Sequence, residues 1–399
     1  MLKGFKYRLY PTIDQKELLE KHFGCTRFIY NLALETKINA YINKVNLSRY
    51  DLQKQMVDLK QECLWLKEVN SQSLQSSLLN LDNAYKHFFR TKKGFPRFKK
   101  KSSKNTFSVP QSVSIDKNEI FIPKFYSGIK MVVDRKHEGQ IKSATISKSI
   151  TGKYFVSILC ETGEVIPEKR EINPETTIGI DLGIKDFLVF SDGRKISNSN
   201  FLKSKLDFLK FLQRKLSKQE KNSTRYNKTK QRLALHHEHI TNQRQDFLHK
   251  LSTEITNQYD TICMEDLNVR GMIRNHKLAL SIQDASWSEF TRMVNYKSEW
   301  KGKNVVQIPR FYPSSKTCHV CGYINKEFTL KIRQWTCPIC ETKHDRDENA
   351  AKNIKNWPME CRLLNVEAGS VDDRFISMKP KKHLVCETLK VPEFSALSA

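Results

Sequence analysis

Three acids stand where a phosphodiester-hydrolysing metal site would need them. Asp181 closes "TTIGID", a run that is otherwise uncharged. Glu265 closes "YDTICME", a second short apolar run, and Asp347 lies in "HDRDENAAKNI". Carboxylates at the ends of buried strands cost stability unless a cation neutralises them. Two divalent ions about 4 Å apart would do so, and would also activate water and stabilise a leaving oxygen. Hard oxygen donors suit Mg²⁺ or Mn²⁺ better than zinc. Asp345, two residues before Asp347, stays open as either a loop cap or the third ligand, and Asp266 reads as a turn former.

Four cysteines make a second metal set. Cys318, Cys321, Cys337 and Cys340 read C-x-x-C, fifteen residues, C-x-x-C. Two such knuckles place four thiolates tetrahedrally around Zn²⁺. Gly322 suits the tight turn after the first pair. Cys25, Cys63, Cys160 and Cys263 lack partner spacing and read as small core residues.

The partner class follows from charge. The chain has 399 residues with 69 Lys+Arg against 43 Asp+Glu, a net charge of +26. Such a field draws polyanions, and nucleic acid is the natural one. From Lys86 to Lys104 there are nine basic residues and no acid, with Phe95, Pro96 and Phe98 interleaved. Lys92, Lys93, Arg97, Lys99 and Lys100 are therefore candidate nucleic-acid contacts, with the aromatics available for stacking. Between Lys205 and Arg232 there are ten basic residues and two acids. "HHEH" at 236–239 sits on that polar helical stretch, where a surface or phosphate-facing role outweighs a metal site. No apolar run is long enough for a membrane span, and "MLKGFKYRLYP" has no signal-peptide core. A cytoplasmic protein with no membrane partner is the expectation.

The positioning elements can be read from periodicity. Residues 3–10 alternate as a strand. Helices follow after Thr12 or Asp14, after Asn46–Ser48, and across "NSQSLQSSLLNLDNAYKHFFR". Residues 106–160 read as short antiparallel strands of a barrel or sandwich, joined by the first strand. "TIGID", two strands in "KDFLVFSDGRKI", "TICME" and "NVVQIP" form a second strand set, and 200–258 read as helical and basic. "DASWSEFTRMVNYKSEW" reads as one amphipathic helix with Trp287, Phe290, Met293, Val294 and Trp300 on a core stripe.

Together, "YRLYPTIDQ", "CTRFIYNLAL", "GFPRFKKK", "GIDLGIKDF", "MEDLN", "DASWSEF", the cysteine pairs and "DRDENAAKNI" resemble the transposon-encoded TnpB family, relatives of the type V CRISPR effectors. The match runs from about residue 3 to about 356. The resemblance implies an α/β multidomain fold. Its parts would be a β-barrel wedge (1–10 and 105–170), a helical recognition insert (11–104), an RNase H-like (RuvC) nuclease domain (171–310 and 345–358), a zinc-ribbon insert (311–344) and a tail (359–399), expected to be partly disordered. It implies an Mg²⁺-dependent, RNA-guided DNA endonuclease of a prokaryotic cytoplasm, nucleoid-associated, acting as a monomer with one guide RNA derived from the transposon end. The target would be double-stranded DNA beside a short flanking motif.

On the same resemblance Asp181, Glu265 and Asp347 are the three carboxylate ligands, with Asp347 preferred to Asp345 because it abuts "ENAA". Arg346 would contact the scissile strand. Gln72, Gln75 and Ser76 are candidate motif readers, or simply an exposed helix face. A cleavage-deficient guided DNA-binding regulator, a transposase performing strand transfer and a zinc-dependent transcription factor are the competing readings. All three acidic stations are filled, which disfavours the first. The roughly 350 residues beyond the cysteine segment disfavour the last.

Overall fold

The computed structural model describes residues 1–91, 94–101, 105–329 and 332–363. The chain divides into two compact units, residues 1–165 with 212–238, and residues 166–211 with 239 onward.

In the first unit, strand β1 (Leu2–Leu9) turns Phe5, Tyr7 and Leu9 inward. Helix α1 (Ile13–Ile42) starts at Thr12, whose hydroxyl accepts from the Gln15 amide while the Gln15 side chain accepts from the Thr12 amide. This reciprocal cap satisfies two amides that a helix start would otherwise leave unbonded. Ser48 and Asp51 repeat the device at α2 (Arg49–Glu62). Helix α3 (Ser71–Thr91) follows, and then strands β2 (Asn105–Val109), β3 (Ser114–Asp116), β4 (Glu119–Ile122), β5 (Phe125–Val132), β6 (Gln140–Lys148) and β7 (Tyr154–Glu161). They form an antiparallel sheet in the order β2-β6-β7-β1-β5-β4-β3, with β1 paired along β7 from Leu2–Glu161 to Leu9–Tyr154. Helix α1 serves two cores. Its Leu19 and Phe23 pack with the sheet, while Ile29, Ala33 and Leu34 pack with Leu52, Leu74 and Leu78 of α2 and α3.

The second unit is built on a five-stranded sheet. Strand β8 (Thr177–Leu182) pairs antiparallel with β9 (Asp186–Phe190), which pairs with β10 (Lys195–Ser197). On its other side β8 runs parallel to β11 (Thr261–Glu265), which runs parallel to β12 (Asn304–Ile308). The order is β10-β9-β8-β11-β12. Between β10 and β11 come α4 (Leu206–Ser217) and the 35-residue α5 (Thr224–Gln258). Between β11 and β12 come α6 (Val269–Met272), α7 (Ala279–Ala285) and α8 (Trp287–Trp300). The sequence reads one helix from Asp284, but Ser286 adopts a left-handed conformation (φ 56°) and splits it into α7 and α8. Asp284 then accepts from the Leu202 and Lys203 amides and from Arg244.

Strands β13 (Gln334–Thr336) and β14 (Lys343–Asp345) form a hairpin leading into helix α9 (Arg346–Leu363). This helix carries on through Pro358, five residues beyond the end expected for the nuclease region. Most of the expected tail, residues 364–399, lies outside the described residues.

Helix α9 lies close against β8. Ala350, Ala351 and Ile354 are buried, and a Cβ on Gly179 would come within 2.0 Å of the Ala351 carbonyl oxygen and 2.6 Å of the Lys355 nitrogen. Both clashes are with backbone and cannot be relieved by a rotamer change. Gly179→Ala is therefore expected to destabilise the chain by about 3 kcal/mol, the upper end for overpacking. Urea unfolding would measure it, with a lowered midpoint and an unchanged slope.

Candidate active site and cysteine centre

Register explains why two of the acids meet. Ile180 on β8 pairs with Met264 on β11 in a parallel ladder, so Asp181 and Glu265 are the next residues along adjacent strands. Adjacent strands lie about 4.8 Å apart, and residues at the same level of a parallel pair point to one face. That face is the one carrying α9, because Gly179, two residues before Asp181, is the residue pressed against Ala351. Asp347 stands one helical turn before Ala351, in the first turn of α9.

The electrostatics agree with this placement. Burial pushes the Asp181 carboxyl well above the usual carboxylate range. The charges of Glu265 and then Asp347 push it further, and Arg346 opposes them. Asp181 keeps some exposed surface while its carboxyl sits deep. Burial also raises Glu265, whose Oε1 accepts from the Ser314 hydroxyl at 2.5 Å. Such crowding of acids is unfavourable without a cation, so the donor set fits a divalent metal.

Neighbouring residues hold the acids apart in function. Asp345 caps α9, its Oδ1 accepting from the amides of Asp347 and Glu348 at 3.1 Å each, and its Oδ2 pairs with Lys195 at 3.0 Å. Burial raises the Asp345 carboxyl, but the Glu348 amide and Lys195 outweigh it and leave it below its ordinary value. Asp347 accepts from Arg346 at 2.6 Å and from Arg333 at 2.8 Å. Arg346 thus lies among the acids.

Sequence reasoning missed Ser314, Arg333, Asn349 and Asn353. Asn353 Nδ2 donates to the Ser314 carbonyl at 2.7 Å and to the Thr317 carbonyl at 2.6 Å. Asn349 donates to Thr317 at 2.7 Å and accepts from the His319 amide. The helix that carries Asp347 therefore also fixes the turn that carries Ser314. The one sequence signal was a pair of asparagines, four residues apart, on a buried helix face.

The cysteines come together as a compact group. Among the described residues they are the one set of three or more His, Cys, Asp or Glu side chains whose ligand atoms all lie within 4.8 Å of one another. The three carboxylates are looser. The two knuckles are built alike. The Gly322 amide donates to the Cys318 carbonyl and the Glu341 amide to the Cys337 carbonyl, both at 2.9 Å, and both residues have positive φ (75° and 57°). The Thr342 hydroxyl and amide hold the Cys340 thiol down to about 6, which favours the thiolate a metal needs. Buried His344 lies 3.1 Å from Cys318 Sγ and packs against Trp335. Four soft donors in this arrangement fit Zn²⁺.

Of the candidate nucleic-acid contacts, Arg97 and Lys100 are exposed, while Lys92 and Lys93 lie outside the described residues. Lys99 differs from the outward placement expected. Its ammonium lies 3.9 Å from the Tyr30 ring centre and its backbone is clamped by Asn31, with burial lowering its pKa. Gln72 bonds to Gln111, Gln75 is exposed and Ser76 is half-buried. Among the described residues no helix is long and apolar enough to cross a membrane.

The fold is similar to that of Cas12f1. The chain superposes on the Cas12f1 chain of a cryo-EM Cas12f1–sgRNA–target DNA complex with a TM-score of 0.56 and 14% identity, covering 89% of this chain and 99% of that one. A family model described as "Probable transposase" matches residues 157–276, and one described as "Cas12f1-like, TNB domain" matches residues 287–354. A "Helix-turn-helix domain" model matches residues 1–44, which here form β1 and the single helix α1. A Streptomyces pristinaespiralis protein named "Putative RNA-guided DNA endonuclease" is 37% identical over 361 residues, 88% of each chain. The Escherichia coli K12 protein InsQ, of the same description, is 32% identical over 379 residues, covering 88% of this chain and 91% of InsQ. The chain belongs to the transposon-encoded TnpB family.

Proposed function

We propose that this chain is an RNA-guided endonuclease that cuts double-stranded DNA beside a short flanking motif, by phosphodiester hydrolysis at Asp181, Glu265 and Asp347. The observation that carries the reading is the strand register that sets Asp181 and Glu265 level on adjacent parallel strands, on the face where α9 carries Asp347 in its first turn. The strand order β10-β9-β8-β11-β12, three antiparallel strands followed by two parallel ones, supports an RNase H-like (RuvC) assignment for this sheet. The first unit would supply the helical recognition insert (11–104) and, up to residue 165, the barrel-like wedge (1–10 and 105–170). The hairpin segment 311–344 would be the zinc ribbon.

When bound, Mg²⁺ or Mn²⁺ at these carboxylates supplies an activated water and charge for the leaving oxygen. Asp181, on the central strand β8 and subject to the charges of both other acids, would orient the cluster. Ser314 holds Glu265 by donating to one carboxylate oxygen, leaving the other free. Arg333 and Arg346 hold Asp347 in place. Asp345 is committed to capping α9 and Lys195, which supports Asp347 as the third ligand. The basic stretches, with Arg97 and Lys100 outward, would hold a guide RNA from the transposon end, while base pairing selects the target. Gln75 and Ser76 on α3 stay candidates for reading the flanking motif.

The test is to purify the full chain, sequence the RNA that comes with it, and assay cleavage of a plasmid carrying the matching target and flanking motif. RNA-dependent cutting is expected. A protein free of nucleic acid that cuts without RNA overturns the guided reading.

Ser314→Ala is expected to slow cleavage about 10- to 100-fold, the usual cost of losing a partner that orients a metal ligand. The Mg²⁺ concentration for half-maximal rate should rise with it, and Ser314→Thr should restore most of both. Equal metal dependence in Ser314→Ala would remove Ser314 from the machinery.

A further inference from the structure

Of the three acids, Asp347 is the one already neutralised. Among the described residues neither Asp181 nor Glu265 has an ion pair, and Glu265 accepts from the uncharged Ser314 hydroxyl. Asp347 has two ion pairs. Arg346 Nε donates to Oδ1 at 2.6 Å and Arg333 Nη1 donates to Oδ2 at 2.8 Å, so each carboxylate oxygen carries a guanidinium. A metal ion bonded to either oxygen at about 2.1 Å would face a cation on that same oxygen. Like charges that close repel.

Hairpin register puts Arg333 there. Gln334 of β13 pairs with Asp345 of β14, and the Arg333 carbonyl accepts from the Arg346 amide at 2.8 Å. Arg333 therefore stands beside the first turn of α9, although it is 14 residues from Asp347 in sequence. Cys337, the residue after β13, ties the same hairpin to the cysteine centre. The two arginines differ in freedom. The Arg346 side chain is 17% exposed, while that of Arg333 is 52% exposed, and Asp347 is its one side-chain partner among the described residues. A half-exposed ion pair adds little to stability. Arg333 can leave at small cost, and Arg346 then still keeps the carboxylate placed.

We propose that Arg333 is a latch on the third metal ligand: it occupies Oδ2 of Asp347 in the metal-free chain, and a divalent ion must displace it to bind there. The inference rests on the nuclease reading and adds to it that the cysteine-bearing insert limits metal loading at the acids. Arg333 is thus opposite in effect to Ser314, which presents Glu265 to a metal. An arginine that served to present Asp347 would act the other way, because its loss would weaken metal binding.

The test is Mn²⁺ binding to the full chain with its bound RNA and no DNA, read from the paramagnetic resonance of the free ion, so that no turnover enters. Ions held by the RNA are subtracted with Asp181→Ala, in which the site is broken. Arg333→Met and Arg333→Gln should each bind Mn²⁺ about three- to tenfold more tightly, the scale of one partly exposed ion pair. The Mg²⁺ concentration for half-maximal cleavage should fall with it. Lys352→Met removes an equal charge from α9, where the lysine pairs with Glu348, and should shift binding less. Zinc content should stay that of the parent in all three. Unchanged or weaker Mn²⁺ binding by a folded, zinc-loaded Arg333 variant overturns the latch. An equal shift in Lys352→Met does the same, since it would mark a charge acting at a distance. A chain that cuts DNA without the Arg333 effect loses this inference and keeps its nuclease function. One that shows the effect and never cuts loses the function and keeps the latch.

Discussion

Asp181→Ala is expected to abolish DNA cleavage, by about 10³-fold or more, while leaving guide-RNA binding and target binding intact. Loss of one ligand from a shared metal site removes several kcal/mol of charge stabilisation, and each 1.36 kcal/mol is about tenfold in rate. A second readout separates this from general damage. Asp181 is held among like charges that raise its carboxyl. A group whose folded carboxyl is raised costs stability where it is ionised, above its ordinary range, and that cost vanishes as pH falls below it. Asp181→Asn should therefore melt higher than wild type at neutral pH with divalent ions chelated. Added Mg²⁺ or Mn²⁺ should stabilise wild type by mass action and leave the variant nearly unmoved. A variant that cuts at the wild-type rate would sink the site, and equal metal stabilisation of both proteins would do the same.

Cys337→Ser is expected to strip zinc from the chain, from roughly one ion to near none, and to open residues 311–344 to protease. The segment has little core of its own: Phe328, Trp335 and the cysteines themselves. Structural zinc typically contributes about 10–16 kcal/mol in apparent binding, far more than so small a cluster can supply by burial. The loss should reach the acids, because the turn ahead of Cys318 carries Ser314 and is fastened to α9 by Asn349 and Asn353. Cleavage should drop at least tenfold, and adding zinc should not restore it. Elemental analysis beside limited proteolysis decides the matter: full zinc occupancy in Cys337→Ser would exclude that cysteine as a ligand.

How much was legible in advance differs from element to element. Alternation marked residues 3–10 as a strand, and cap chemistry offered Thr12 or Asp14 and the stretch Asn46–Ser48 as helix starts, since both depend on neighbours within a few residues. The paired C-x-x-C spacing pointed to a metal centre for the same reason. The split of α7 from α8 at Ser286 was not legible. A serine in a left-handed conformation is set by what its flanking helices pack against, and an amphipathic pattern reads straight through it. Lys99 was read as outward because it lies in a basic run, but Asn31 and Tyr30, some seventy residues earlier in the chain, draw it in.

Residue types and local spacing were enough to mark Asp181, Glu265 and Asp347 as candidates, and the cysteines as a set. They carried no information on who holds whom. That Lys195 holds Asp345 and that Ser314 steadies Glu265 follow from contacts across some fifty to 150 residues. Such contacts depend on sheet register and on the close seating of α9 over Gly179. The missing Cβ there lets the helix that carries Asp347 sit close to the strand that carries Asp181.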